Sequence, residues 1–123
     1  IFFANDPEAT VLGTIRGLDK PGLVVKDLGN RRSVYSSAPM LHANLVRNIL
    51  ADSGVHIYSK GNDLIYANDT YVSLTANEDG TRTIYLPQEA NVSDALSGES
   101  VGNGIKEFSF DAKQYETRIF KLS

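Results

Sequence analysis

Apolar and polar residues alternate in short runs along most of this chain, and turn-forming residues separate the runs. That pattern is the signature of half-buried strands. Residues 10–16 (TVLGTIR) predict a strand whose internal Gly13 marks a bulge or a close backbone approach. The stretch 17–22 (GLDKPG) reads as a loop, and 23–28 (LVVKDL) as the next strand. Gly29, Asn30, Arg31 and Arg32 look like a hairpin connection into a strand at 33–36.

One stretch breaks the period of two. Leu41, Leu45, Ile49 and Leu50 fall at i, i+4, i+8 and i+9, while Asn44, Arg47, Asn48 and Asp52 lie mainly off that stripe. The spacing predicts an amphipathic helix over residues 39–53. Pro39 suits its first turn, Ser36 or Ser37 is a candidate N-cap, and Gly54 supplies the left-handed residue that commonly ends a helix. Burying four such aliphatic side chains contributes on the order of 6–12 kcal/mol before entropy is subtracted. The helix is therefore expected to cover a sheet.

Strand texture resumes at residues 55–58 (VHIY), and a turn at 60–63 leads to a strand at 64–67 (LIYA). Residues 71–76 and 81–86 flank Asn77-Glu78-Asp79-Gly80 and predict a hairpin that Pro87 ends. Val72, Leu74 and Ala76 share one face of the first arm, and Arg82, Ile84 and Leu86 one face of the second. Residues 91–96 form a crossing segment, 97–99 a turn and 101–104 a loop, with final strands at 105–110 and 115–122. About nine strands and one helix make the expected fold α+β. It is a mainly antiparallel β-sandwich or open barrel with one amphipathic helix packed on a sheet.

At 123 residues, 41% hydrophobic and 22% charged, the chain has globular values and the size of a single domain, residues 1–123. Within it, 1–59 hold strands plus the helix and 60–123 an antiparallel β-rich tail. A net charge of −3 with no basic cluster argues against nucleic acid as a partner. No apolar run approaches the roughly 18 residues of a membrane-spanning helix, so no membrane partner is expected. The absence of cysteine excludes disulfides and thiolate metal sites. The chain begins at Ile1 and its one Met is Met40, which reads as a piece of something longer or a processed product.

Candidate chemistry is sparse. His42 and His56 show no metal-ligand spacing. Ser33, Ser36, Ser37, Ser53 and Ser59 lie in no nucleophile elbow. Asp63, Asp69, Glu78, Asp79, Asp94, Glu99 and Glu107 include residue types for acid–base catalysis, but most fall in turns, where they read as solvated turn residues. Gly98, Gly102 and Gly104 make no phosphate loop. No catalytic residue, metal or cofactor is therefore assigned. The aromatic residues carry more: Tyr58, Tyr66, Tyr71 and Tyr85 sit on predicted strands and are candidates for a ligand-binding platform that stacks on sugar rings. The plainer reading is that tyrosine is a favoured strand residue with a packed ring and a wet hydroxyl.

Three segments, GNRRSVYSSAP (29–39), the stretch from Leu41 that ends in ADSGVHIYS (51–59) and DLIYANDTYVSLTA (63–76), resemble the C-terminal region of bacterial glycoside-hydrolase-like proteins. These are of the β-galactosidase type, with a trimerisation domain akin to glutamine amidotransferases. Leu86-Pro87, VSDALSGE (92–99) and ETRIFKL (116–122) fit the same pattern, so the resemblance spans residues 10–122. It implies a non-catalytic accessory domain of a carbohydrate-active protein, because the catalytic carboxylates of such enzymes lie in an upstream barrel. The partners it implies are that catalytic domain or a neighbouring subunit. The alternative is a carbohydrate-binding module using the strand tyrosines.

Overall fold

The computed structural model describes residues 2–123, and the chain divides into two compact units, Ile1–His42 and Ala43–Ser123. In the first, β1 (Thr10–Ile15), β2 (Lys20–Asp27) and β3 (Arg32–Ser36) form an antiparallel meander with β2 in the centre. The pairing of β1 with β2 slips on both sides of Gly13, the bulge that this glycine signals. Gly29, at φ 85°, turns β2 into β3. The Lys26 ammonium lies 2.6 Å from Asp6 and 3.0 Å from Glu8, tying the N-terminal segment to β2.

The second unit holds α1 (Ala43–Asp52), β4 (Leu64–Ala67), β5 (Tyr71–Thr75), β6 (Gly80–Asp94), β7 (Ser100–Ala112) and β8 (Thr117–Leu122). Its five strands form one antiparallel sheet in the order β4-β5-β8-β6-β7. The inward faces close on a single core of Val72, Leu74, Ile84, Leu86, Val92, Phe108 and Phe120, with Ala76 and Ala112 filling the ends. Phe120 is 1% exposed and packs edge-on against Phe108, ring centroids 4.8 Å apart, with Phe110 at 4.9 Å. Long β6 makes this closure possible. Most of its length pairs with β7, and its last residues also pair with β8, with the register slipping between Tyr85 and Ala90.

The fold class read from the sequence is the one observed: mainly antiparallel sheet, in two sheets, with one helix. Several details differ. The helix begins at Ala43, because Ser36 Oγ accepts the Ala38 N–H at 3.1 Å and Ser37 N–H reaches the Gly22 carbonyl at 2.7 Å. Both serines thus finish β3 and cap no helix. The helix ends as expected: Val55 N–H bonds the Leu50 carbonyl at 3.0 Å around Gly54, φ 83°. No residue of α1 is buried, and Leu41 and Leu50 stay exposed, since the sheet already closes the core with its own side chains.

The predicted hairpin of 71–76 with 81–86 does not form. β5 pairs with β4 and β8, and β6 with β7 and β8. A hairpin would set Val72/Leu74 beside Ile84/Leu86 on one face, whereas here both sets enter the same core from different strand pairs. Pro87 does not end β6 either: it sits at the register slip, where no ladder hydrogen bond is demanded of it. Residues 101–104 belong to β7, and residues 55–58 form no strand. Eight strands and one helix stand among the described residues.

Candidate functional site

Two connections of the second unit, residues 59–63 before β4 and 77–79 before β6, border a polar cleft of about 480 Å³. Lys60 and Asn62 line it from the first connection, Asn77 and Glu78 from the second, and Thr83 and Tyr85 of β6 complete it. The first wall is held by Arg47 of α1. Its guanidinium donates to the Lys60 carbonyl at 2.8 Å, the Gly61 carbonyl at 2.5 Å and Asn62 Oδ1 at 2.9 Å. Ser59 Oγ accepts the Gly61 N–H at 3.1 Å and tightens the same turn.

The two walls are joined by a partly buried ion pair. The Asp63 side chain is 2% exposed and that of Arg82 is 12% exposed. Asp63 Oδ1 accepts the Asn77 N–H at 2.9 Å and Arg82 Nε–H at 3.0 Å. Oδ2 is 2.9 Å from the same nitrogen but has no hydrogen-bond partner, because the N–H vector serves Oδ1. The remaining guanidinium nitrogens donate to the Glu78 carbonyl at 2.7 Å and the Thr81 carbonyl at 3.2 Å. Every nitrogen of Arg82 is thus spent on the protein itself, and the cleft is preorganised before anything enters it.

On β6, Thr81 Oγ1 donates to Asp111 at 2.6 Å, and the Thr83 and Ser109 hydroxyls meet at 2.8 Å across the strands. The backbone of Tyr85 is held from the side: its N–H donates to the Tyr58 carbonyl at 2.9 Å, and its carbonyl accepts His56 Nε2–H at 2.8 Å. The Lys60 ammonium lies over the Tyr85 ring, 4.8 Å from its centroid.

The four candidate tyrosines fall into three places. Tyr85 lines the cleft. Tyr58 packs against the core, meets the His56 ring edge-on at 4.6 Å, and borders a second hollow of about 180 Å³ near Asp69 and Glu89. Tyr66 and Tyr71 are 68% and 43% exposed and share the outer face of β4 and β5, since Tyr66 pairs with Ser73 and Tyr71 lies two residues earlier on the same strand. Only this last pair is brought together on one face.

Other candidates are occupied with local structure. His42 is exposed just ahead of α1. Asp94 is held below the ordinary carboxylate range by the Ser97 and Leu96 N–H groups first, then by Arg118 at 3.2 Å. Asp79 is lowered by the Gln114 N–H and then by Lys113. Among the described residues no group of three or more histidines and carboxylates is placed to hold a metal ion.

Reading Asp63 as a solvated turn residue was wrong, since its side chain is buried. The sequence did carry one signal for it. Arg82 shares a strand face with Ile84 and Leu86, and a cation on an apolar face requires a buried counter-charge.

No family model matches the chain, and no curated protein matches it. Among solved structures it is similar to a β-galactosidase from Bacillus circulans sp. alkalophilus, with a TM-score of 0.60 at 18% identity. The likeness covers 94% of this chain and 18% of that one, so this chain spans a small part of the length of the enzyme it matches. It therefore shares its fold with a segment of a bacterial β-galactosidase.

Proposed function

We propose that this chain is a non-catalytic accessory domain, C-terminal in a glycoside-hydrolase-like protein of the β-galactosidase type. That type carries a trimerisation domain akin to glutamine amidotransferases. The domain supports the catalytic domain of the same polypeptide or a neighbouring subunit. The observation that carries this reading is the fold likeness, which takes in nearly all of this chain against a small segment of a β-galactosidase.

The test is made on the complete polypeptide encoded by the gene. Deleting residues 43–123 is expected to lower its assembled mass in light scattering or its thermal stability, while the 123-residue chain alone leaves an aryl β-galactoside intact. Hydrolysis by the isolated chain that a single carboxylate substitution abolishes would overturn the reading. So would a deletion that changes neither mass nor stability.

A second reading is carbohydrate binding through the tyrosines. It is favoured by the exposed Tyr66 and Tyr71 on one sheet face and by Tyr85 in a polar cleft.

A further inference from the structure

The polar cleft between residues 59–63 and 77–85 has features that the flat Tyr66/Tyr71 face lacks. It is concave, and both walls are locked from behind by guanidinium groups, Arg47 on one side and Arg82 on the other. Its charges also balance: Lys60 and Arg82 stand against Asp63 and Glu78. Arg82 and Asp63 neutralise each other below the surface, leaving one ammonium and one carboxylate at the rim. An anionic ligand would meet Glu78, and a cationic one would meet Lys60. Asn62 Oδ1 is already held by Arg47, so the groups left to a ligand are an aromatic ring, the Asn62 amide nitrogen, the Asn77 side chain, and this pair of opposite charges.

We propose that the cleft is a saccharide-binding site for a neutral mono- or disaccharide, with a pyranose face against Tyr85. This inference rests on the second reading above and assigns it a place. The Lys60 ammonium now over the Tyr85 ring swings aside and donates to sugar hydroxyls, while Glu78 accepts from them. The C–H face of the sugar takes over the ring surface that the ammonium leaves. Arg47, Asp63 and Arg82 are positioning residues, because their polar groups hold the walls. A concave site with a few convergent polar groups and fixed walls loses less on ordering than a flat aromatic face does.

The experiment is a two-dimensional amide NMR titration of the full 123-residue chain with galactose and lactose, and with inorganic phosphate as the anionic control. Saturable shifts are expected at residues 59–63 and 77–85. Tyr85→Ala should weaken lactose binding at least tenfold and Lys60→Met several-fold, with Tyr66→Ala and Tyr71→Ala unchanged. Lys60 is exposed, so its variant keeps the test valid if Tyr85→Ala fails to fold. Saturable sugar binding that follows Tyr66 and Tyr71 instead overturns this assignment and leaves the second reading standing. Phosphate binding at the cleft more tightly than lactose overturns the neutral-ligand class. No saturable sugar binding at all removes both the assignment and the second reading, and leaves the accessory role to be judged by the deletion.

Discussion

Replacing Asp63 by Asn tests the internal strut of the cleft. The substitution preserves shape and leaves one oxygen to accept the Asn77 and Arg82 donors now on Oδ1. It removes the charge that compensates Arg82, and it places an amide NH₂ where Oδ2 now lies, 2.9 Å from the Arg82 nitrogen. That position has no other hydrogen-bond partner, so one donor would face another in a closed space. Breaking a buried ion pair by removing one partner costs about 3–5 kcal/mol. Arg82 retains 12% side-chain exposure and hence some solvation, which places the cost at the low end, about 3 kcal/mol. With a urea m-value of about 1–3 kcal/mol/M, the unfolding midpoint should fall by roughly 1–3 M at neutral pH. Far-UV circular dichroism follows the transition, since the chain has no tryptophan. In a double-mutant cycle with Arg82→Met, the double variant should cost less than the sum of the singles by about 1 kcal/mol or more. A loss below about 0.5 kcal/mol for Asp63→Asn, or strict additivity in the cycle, would refute the strut.

Four further substitutions have outcomes fixed by the same structure. Phe120→Ala should cost about 3–5 kcal/mol, because the ring is 1% exposed between Phe108 and Phe110. Leu50→Ala, on the unburied helix, should change stability by less than about 1 kcal/mol, and the reverse ranking in urea melts would place the core around α1. Gly61→Ala would bring a methyl group 2.7 Å from Asp63 Oδ2, so the first wall must move. A loss of about 1–3 kcal/mol is expected, with altered amide shifts at residues 59–63, and a neutral result in both readouts would contradict the close packing. Asp94 has a folded-state pKa below the ordinary 3.8, so it stabilises the fold above that value and loses the contribution as pH falls through its folded pKa. Thermal melts of Asp94→Asn should therefore show a shallower decline below about pH 4 than the wild type. Identical acid profiles would contradict the shift.

Local geometry was legible in the residues, because it depends on neighbours a few positions away. The alternation of Val72 and Leu74 against Tyr71 and Ser73 gave β5 its two faces, and Gly13 marked a bulge. The helical stripe and Gly54 placed α1 and its end. Its start escaped, since Ser36 and Ser37 are taken by backbone groups at Ala38 and Gly22. Which strand lies beside which depends instead on contacts between residues far apart in the chain. Alternation states that Leu74 and Ile84 must face a core, but it is equally satisfied by a hairpin and by the observed partners of β5, which are β4 and β8. Pro87 in β6 and the burial of Asp63 belong to the same class. A proline is tolerated where the register slips, and a carboxylate can be buried where an arginine from a distant strand meets it. Neither condition is written in the residues on either side.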